Sequence, residues 1–417
     1  KLPGVLRNYL KIAWRSLKKN KFYTGINVLG LALATAAFLL IIHYIRFEYS
    51  YEDGYKNAAD IYRITLDRYK DAAFVVADCE THSPLGPLLK KDFPEVVDYV
   101  RLQEEPVPGI KYHEKVYQVE KIYAADPSVF TVFNHQFVDG SAKGALDLPF
   151  QAVLTESTAK RIFGRTHVKG EMLNTGRGLF TVSAVIKDLP ANTHLKTDML
   201  FSYVTLEKFG YDMNGWNGNN TYTYVQLQPH ANLAAFTQKL EQVSQDHIKP
   251  NKFIAQPIKD IHLHSHKTFE PEINGDIKTV RFLLVTAILI LLVGAVNYVN
   301  LTTARSAERV KETGMRKALG SSRQMLIKQF MTETIVINLL AMGCSLFLVR
   351  LCLPAYYNLV NKPFTTALFS SSAFWSMTAV LFIFNCLLSG IYPALVLSAV
   401  KPVSVTKKTF TGTLRGT

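Results

Sequence analysis

The amino-acid sequence contains few of the features by which enzymes and disulfide-rich proteins are recognised. No HExxH, GxSxG or phosphate-loop motif occurs in its 417 residues, so the common signatures of zinc proteases, serine hydrolases and P-loop nucleotidases are absent. The four cysteines do not form a disulfide framework, because Cys344, Cys352 and Cys386 lie in apolar runs and leave Cys79 without a partner. We therefore expect no catalytic residue, metal or directly bound cofactor in this chain.

Acidic residues are also scarce outside the middle of the chain. Residues 1–21 contain seven Lys/Arg and no acid, whereas 47–278 contain 25 Lys/Arg against 30 Asp/Glu. The formal net charge of +14 thus lies outside the large central segment, which argues against a nucleic-acid partner. The apolar residues, 48% of the chain, are numerous enough to exclude disorder.

Four apolar stretches are long enough to cross a bilayer, at 22–46, 279–304, 330–352 and 374–399. A buried helix of a soluble protein would explain any one of them but not the set, since such helices are shorter and carry a polar face. The first is too long to be a cleaved signal. The sequence predicts an α-helical membrane protein with an extracytoplasmic α/β domain between the first and second spans.

The distribution of Lys and Arg in the short flanks predicts the orientation. Both ends of the chain, 1–21 and the basic tail 400–417, are rich in cations, as is the loop 305–329, whereas the link 353–373 carries only Lys362. We therefore expect a multi-pass protein of the bacterial inner membrane with both termini cytoplasmic, and with the domain 47–278 and the link 353–373 on the periplasmic side.

The first 21 residues are predicted to form an amphipathic helix in the membrane interface. Apolar residues recur at helical spacing from Leu6 to Leu17, and cations occupy most of the remaining positions. A simple cluster of charges that sets topology is the alternative. The side chains expected at the lipid surface are Arg7, Lys11, Trp14, Arg15, Lys18 and Lys19. In the first span, Gly30, Ala34 and Ala37 form a small-residue face that another helix could approach closely.

The domain 47–278 shows mixed periodicity. Strands are predicted at 61–66, 116–123, 180–186 and 222–227, and helices at 84–90, 157–163 and 233–248. His262, His264 and His266 alternate, so on a strand they would share one face that could bind a metal; a solvated strand is the interpretation we prefer, because no second ligand cluster is near. Cys79 and His82 lack an orienting group and do not predict a nucleophile and its base.

The loop 305–329 is the most informative cytoplasmic segment. It begins charged and helical, breaks at Gly320–Ser322 and then enters the third span. An ordinary positively charged loop would explain its cations but not Glu308, Glu312 or the apolar Met315 and Leu319. The pattern favours a short helix along the membrane face that inserts into a cleft of a partner.

Several motifs from Leu6 to about Val405 resemble those of FtsX-like/MacB-like ABC transporter permeases of the Bacteroidota type. They are the opening 8–15 (NYLKIAWR), the junction 20–31 (NKFY to NVLGL), the domain signature 185–190 (VIKDLP), the segment 308–320, and the closing 392–394 (YPA) and 401–403 (KPV). The resemblance implies a MacB-type periplasmic domain, four membrane helices per unit, and a mechanism in which ATP-driven motion is transmitted to the outer domain.

The resemblance also implies the partners. In the family the 305–329 segment, called the coupling helix, docks on a separate cytoplasmic ABC ATPase dimer, which binds ATP and Mg²⁺. The contact candidates carried over are Glu308, Glu312, Gly314, Arg316, Lys317, Ala318, Leu319 and Gly320, with Met315 added as an apolar contact. A periplasmic or outer-membrane partner, the lipid bilayer and a second permease unit complete the expected set.

Two questions stay open at this point. Long members of the family carry two such units in tandem, so this chain is either one half of a double-length permease or a half-size permease that pairs with a second copy. A membrane receptor or a scaffold with a ligand-sensing outer domain is the alternative function, but only about 25 residues of cytoplasmic loop and two tails are available for an output domain. The substrate is not predicted.

Overall fold

The computed structural model describes residues 4–19, 21–107, 109–304, 306–360 and 368–398. The side chains at 4–8, 10, 16, 306–309, 311–312, 392–394 and 396–398 lie outside this description. The tail motif 401–403 lies outside it altogether. Contacts divide the chain into a membrane unit, Lys1–Arg46 with Lys278–Thr417, and an outer domain, Phe47–Ile277.

The helices and strands of the described residues follow one another in a simple order. The helices are α1 Gly4–Lys19, α2 Lys21–Tyr49, α3 Leu85–Asp92, α4 Val129–Val132, α5 Glu156–Phe163, α6 Thr205–Lys208, α7 Leu233–His247, α8 Ile261–His264, α9 Ile277–Ala304, α10 Ser306–Ala318, α11 Arg323–Val360 and α12 Ser372–Ser398. The strands are β1 Ile61–Lys70, β2 Ala73–Asp78, β3 Val96–Glu104, β4 Ile110–Tyr112, β5 Lys115–Tyr117, β6 Ile122–Ala125, β7 Phe137–Asp139, β8 Gln151–Thr155, β9 Met172–Asn174, β10 Leu179–Ile186, β11 Met199–Ser202, β12 Tyr222–Leu227 and β13 Lys252–Pro257.

Four helices of the membrane unit, α2, α9, α11 and α12, are long and apolar enough to cross a bilayer. Helices α2, α9 and α11 each contain one of the predicted apolar stretches, and α11 extends beyond its stretch by about two turns at each end. Helix α12, described as far as Ser398, covers 374–398 of the fourth. The predicted fold class, four membrane helices with an α/β domain between the first and second, is confirmed.

Small residues allow close helix packing in the membrane unit. A Cβ added at Gly294 of α9 would lie 2.8 Å from the Cβ of Ala34 in α2, and one at Gly30 would lie 3.2 Å from Asn297 Nδ2. The small-residue face predicted on the first span therefore contacts α9 at Gly30 and Ala34. Polar contacts add to this packing, since Asn385 Nδ2 of α12 donates to Thr35 Oγ1 of α2 at 3.2 Å.

The outer domain is built on a mixed sheet whose strand order is β13-β1-β12-β3-β6-β11-β8-β10-β9-β4-β5, with β2 beside β1 and β7 beside β10. Most neighbours are antiparallel, but β6–β11 and β8–β10 are parallel pairs. The first strand, β1, pairs with both β12 and β13, so the beginning and the end of the domain are adjacent in the sheet. Helices α3 and α7 pack on one part of it over a core that contains Leu85, Leu89, Phe236 and Leu240.

Two expectations for this domain were wrong. The predicted strand 116–123 is two strands, β5 and β6, which pair with different neighbours, β4 and β3. Between them the backbone N–H of Glu120 donates to the Asp198 carboxylate at 3.1 Å. The predicted histidine strand is the short helix α8, followed by an irregular segment. Alternation over only five residues does not distinguish a strand from a helical turn.

Candidate functional site

The candidate site is the coupling segment, which we define as residues 306–322, comprising α10 and the turn after it. The turn is a Schellman motif: Ser321 N–H donates to Arg316 O at 2.9 Å and Gly320 N–H donates to Lys317 O at 3.0 Å. Gly320 has φ +92°, a conformation that favours glycine. Ser322 then caps α11, because its Oγ accepts the N–H of Met325 at 3.3 Å. The end of α10 and the start of α11 are both defined by hydrogen bonds.

One face of α10 is buried within the membrane unit. Val310 packs against the α11 residues Leu326 and Phe330, and Thr313 and Gly314 are buried. Arg316 Nη1 donates to Gln329 Oε1 of α11 at 2.6 Å. The spacing of Val310, Thr313 and Gly314 is that of one helix face, a signal present in the sequence that we had not used.

The opposite face of α10 leaves apolar side chains exposed. Met315 is 60% exposed and Leu319 is 88% exposed, and Ala318 between them is exposed too. These three residues, which we call the apolar tip, are three and four positions apart and so lie on one face. Arg316 and Lys317 beside them are half-buried. The side chains of Glu308 and Glu312 lie outside the described set, so their predicted contacts stay predictions.

The N-terminal helix α1 is only partly available to lipid. Ala13 and Leu17 are buried, and Leu17 belongs to a cluster with Leu31 of α2 and Ile337 of α11. Trp14 is 51% exposed, and Lys18 Nζ lies 5.7 Å from the centre of its ring. Lys11, Arg15, Lys18 and Lys19 are exposed, whereas the side chain of Arg7 lies outside the described residues. Cations and one aromatic ring thus share the exposed side of α1.

In the outer domain, the histidines proposed to share a face are separated. His262 is buried at 1% exposure, with Nε2 2.8 Å from Glu48 Oε2, and its ring stacks on that of Tyr51. His264 is exposed beside Asp260. Within the described residues, no three His, Cys, Asp or Glu side chains come close enough to hold a metal ion. His262 is an internal structural residue and not part of a solvated strand.

A second buried histidine has a similar partner. His194 Nδ1 lies 2.9 Å from Glu52 Oε1, and its Nε2 lies 2.8 Å from the hydroxyl of Tyr224. Thr193 Oγ1 donates to the other Glu52 oxygen at 3.1 Å. These side chains are almost fully buried in the domain. Sequence reasoning missed both histidine–glutamate pairs, because the partners are far apart in the chain.

Cys79 and His82 do not form a reactive pair. The Cys79 thiol is buried and donates to the carbonyls of Phe269, at 2.6 Å, and Thr268, at 3.0 Å. Burial raises the pKa of this thiol far above its usual range, which removes the nucleophilic thiolate. Burial lowers the pKa of His82 to about 4, and its ring lies against Trp216 and Phe253. Both residues are structural.

The domain signature lines a cleft of about 190 Å³. Lys187, Asp188, Leu189 and Pro190 form one wall. The rest comes from the segment after α2, from the turn after α4 and from two residues that follow the signature: Glu52, Gly54, Tyr55, Phe133, Asn134, His135, Gln136, Asn192 and Thr193. The signature thus lies next to the residues with which the chain enters the domain.

Comparison with known proteins identifies two regions of the chain. The model of the MacB-like periplasmic core domain matches residues 24–243, and that of the FtsX-like permease C-terminal domain matches residues 284–402. The first match includes the cleft and β1 to most of α7. The second match includes the coupling segment.

Full-length relatives show the same likeness. The chain is 24% identical over 381 residues to the macrolide export ATP-binding/permease protein MacB of Escherichia coli (strain K12), covering 83% of this chain and 54% of that relative. It is 23% identical over 367 residues to MacB 1 of Yersinia pestis bv. Antiqua (strain Antiqua), covering 83% of this chain and 52% of that relative. The chain therefore spans about half the length of these curated relatives.

Solved structures include two similar chains. One is a domain of a permease protein from Porphyromonas gingivalis, with a TM-score of 0.43 and 18% identity, covering 49% of this chain and 91% of that one. The other is the periplasmic region of MacB from Actinobacillus actinomycetemcomitans, with a TM-score of 0.39 and 15% identity over the same shares.

Proposed function

The chain belongs to the family of ABC transporter permeases that combine a MacB-like periplasmic core domain with an FtsX-like permease domain, and on this premise we propose that it couples ATP hydrolysis to movement of its outer domain. The ATP and Mg²⁺ bind to a cytoplasmic ABC ATPase dimer in a partner chain. This chain is the non-catalytic membrane subunit. The movement serves export or release of an envelope substrate, or control of an envelope partner.

The observation that carries this proposal is the apolar tip of the coupling segment. Leu319 is 88% exposed, and Met315 beside it on the same face is 60% exposed. Fully burying such a side chain stabilises a complex by about 1.5–3 kcal/mol. A cleft that receives both Met315 and Leu319 would therefore supply a large share of the binding free energy. An exposed apolar pair at the end of a helix held on its other face is suited to docking.

The hydrogen bonds of the coupling segment support a mechanical role. The Schellman turn, the Ser322 cap and the Arg316–Gln329 bond connect α10 to α11 without a flexible linker. A displacement of α10 by the ATPase would thus pass directly to α11. A loop that served only to set topology would need the cations alone.

The charge distribution supports an orientation with both termini and the coupling segment in the cytoplasm. The cations of residues 1–21, the loop 305–329 and the tail 400–417 would lie on that side, and the acidic outer domain on the other. The exposed cations of α1 and Trp14 would contact anionic lipid headgroups. A second permease unit, either another copy or a tandem half, would complete the complex with the ATPase dimer.

The test replaces Leu319 with Asp. A carboxylate in the apolar cleft would lack a partner, so we expect at least a 100-fold loss of affinity for the ATPase. The measurement is co-purification of the ATPase subunit with the permease, followed by ATP turnover of the reconstituted complex. Leu148→Asp is the matched control, because Leu148 is an exposed leucine of the outer domain.

Full retention of both the ATPase subunit and its turnover in Leu319→Asp would contradict the docking role. Loss in both variants would point to a general effect of the new charge. The expected result is loss in Leu319→Asp alone, with the membrane region still folded by its helical circular dichroism.

A further inference from the structure

We propose that the buried Glu48–His262 pair, with Gly275 packed against it, is a clasp that makes the first and last residues of the outer domain move as one body. This inference rests on the proposed function, because a clasp matters only if the domain is displaced. It assigns a positioning role to three residues that have no part in docking or in ATP chemistry.

The pair lies where the chain enters the domain. Glu48 is in the last turn of α2, and His262 is in α8, near the end of the domain. Their closest atoms, Oε2 and Nε2, are 2.8 Å apart, and both side chains are almost fully buried. The ring of Tyr51, one turn after Glu48, stacks parallel on the imidazole with the ring centres 3.2 Å apart. The segment after α2 thus holds His262 by both a polar contact and a stacking contact.

The segment that leaves the domain packs on the same pair. A Cβ built on Gly275 would lie 2.5 Å from Glu48 Oε2 and 2.9 Å from His262 Nε2. Only a residue without a side chain can approach these two atoms so closely. Gly275 is two residues before the start of α9, so the pair touches both ends of the domain.

Further contacts bind the departing segment to the sheet. Arg63 of β1 is fully buried and donates to both oxygens of Glu270, at 2.6 and 2.8 Å. Asn274 Nδ2 donates to Ser265 O at 3.1 Å. Hydrogen bonding and the charge of Arg63 outweigh burial and lower the pKa of Glu270, so this carboxylate stays ionised. The segment 265–275 is therefore fixed to β1 as well as to Glu48.

The segment after α2 has its own attachment to the domain. Glu52 accepts from the backbone N–H of His194 at 2.6 Å, and Asn192 Nδ2 donates to Ser50 O at 2.6 Å. With Glu48–His262 removed, this attachment would still hold residues 50–52 in place. The clasp can thus be opened without detaching the first residues of the domain.

Stability alone does not account for a buried polar pair at this place. Apolar residues of similar volume often stabilise a core as well as a buried charged or polar pair does, whereas such a pair selects one arrangement of its neighbours. Here the arrangement selected joins two chain segments more than 200 residues apart in sequence, Glu48 and His262. A force that reaches the domain through either α2 or α9 would be shared by both ends.

The experiment measures the distance across the clasp in the full permease–ATPase complex. Spin labels replace Tyr49 and Ile273, which are 53% and 93% exposed, and the distance distribution is recorded by pulsed electron resonance with and without ATP. The unmodified clasp should give one narrow distribution in both states. In His262→Ala the distribution should widen at least twofold. His264→Ala, on the same short helix but exposed, should match the unmodified protein.

Two further variants keep the test decisive. Gly275→Ala retains both side chains but forces them apart, so it should also widen the distribution, and it gives the answer if His262→Ala does not fold. His262→Gln keeps a donor for Glu48 and should restore most of the narrow distribution. Equal widths in the unmodified protein, His262→Ala and Gly275→Ala would overturn the clasp.

A second pair of labels separates this inference from the proposed function. Labels on Asn217, in an exposed loop of the outer domain, report the distance between two permease copies during ATP turnover. No ATP-dependent change there in the unmodified protein would refute the transmission of motion and leave the clasp measurement valid. A change that persists undiminished in His262→Ala, with a widened Tyr49–Ile273 distance, would refute the role of the clasp in transmission.

Discussion

Single ionisable residues make the outer domain sensitive to pH in opposite directions. Burial, together with the nearby acids Asp78 and Glu104, raises the pKa of Glu80 to about 7. Glu95 is also desolvated, but its hydrogen bond and ion pair with Lys239 lower its pKa below the usual value. The folded domain therefore favours the protonated form of Glu80 and the ionised form of Glu95.

Replacing Glu80 with Gln should stabilise the domain at pH 8 and have little effect at pH 5. A group whose pKa is raised on folding contributes stability below its unfolded pKa of 4.5, and loses it as the pH rises through about 7. Because Glu80 is half-buried, we expect a gain of about 1–2 kcal/mol, which corresponds to a rise in Tm of about 2–8 °C. Thermal unfolding of the purified chain at both pH values measures this.

Glu95→Gln is the control with the opposite sign. A carboxyl whose pKa is lowered on folding stabilises above its unfolded pKa and loses that contribution as the pH falls through the folded value. Glu95→Gln should therefore unfold at a slightly lower temperature than the unmodified protein at pH 8. The difference in Tm between the two proteins should shrink as the pH falls toward 4. Equal shifts in Glu80→Gln at pH 5 and pH 8 would contradict the assigned environment of Glu80.

The coupling segment and His262 show which residue roles can be predicted from the sequence and which cannot. The resemblance supplied Ala318 and Leu319 as contact candidates of the coupling segment, and their spacing with Met315 is that of one helix face. His262 was assigned to a solvated strand because residues 262, 264 and 266 alternate and no second ligand cluster is near; its true partner, Glu48, is far away in the chain. Burial of a polar residue by a distant partner leaves no local pattern.

Among the elements, α10 with its turn best shows how sequence defines geometry. Glycine at 320 and serine at 322 predict an end and a start of helices, and the structure has both. The long apolar stretches were equally clear, because about 20 apolar residues have few alternatives to a membrane helix. Short strands were not, since the pattern of 116–123 predicts one strand, whereas β5 and β6 pair with different neighbours.

Replacing Gly320 with Ala should loosen the coupling segment. A residue with a Cβ is strained at φ +92°, by about 1 kcal/mol, so the last turn of α10 would open. We expect the affinity for the ATPase to fall about fivefold, which is that energy expressed as a binding constant. The measurement is titration of the detergent-solubilised permease with the purified ATPase.

Gly343→Ala serves as the comparison, because Gly343 lies inside α11, has no positive φ, and a Cβ there would meet nothing within 4 Å. It should leave ATPase binding unchanged. If Gly320→Ala also binds normally, the Schellman turn has no role in docking.

At the scale of the whole molecule, composition and hydropathy predicted the architecture better than they predicted any site. The units divide at Phe47 and Ile277, next to the ends proposed from sequence at 47 and 278. The reason is physical: an uninterrupted apolar run and a domain with alternating periodicity differ over dozens of residues. The strand order, with β1 between β12 and β13, depends on contacts that no local pattern contains.

The orientation of the molecule can be tested with single cysteines in a background without the native ones. Cysteines at Asn57, Ser141 and Asn217, all exposed in the outer domain, should react with an impermeant thiol reagent added outside the inner membrane. Cysteines at Gln324, exposed at the start of α11, and at Ser404, which lies outside the described residues, should react only after the membrane is opened.

The expected pattern follows from the excess of Lys and Arg in the loop 305–329. Labelling of the cysteine at 324 in intact cells, with the cysteine at 217 protected, would show that the protein has the opposite orientation in the membrane. Labelling of both cysteines would show that the reagent had crossed the membrane. A cytoplasmic marker protein in the same sample, which must stay unlabelled, checks that the membrane is intact.

The position of β1 has a consequence for how the protein is made. Its register places Tyr62 opposite Pro257 of β13, so the strand synthesised first is completed by the strand synthesised last. At about 5–20 residues per second, a ribosome delivers the partner roughly 10–40 s after β1 itself. Throughout that interval β1 can pair with β2, which follows it directly in the chain, but its edge toward β13 stays open. The sheet of the outer domain can therefore be completed at this edge only after the last strand of the domain has left the ribosome, so the domain finishes folding late in its own synthesis.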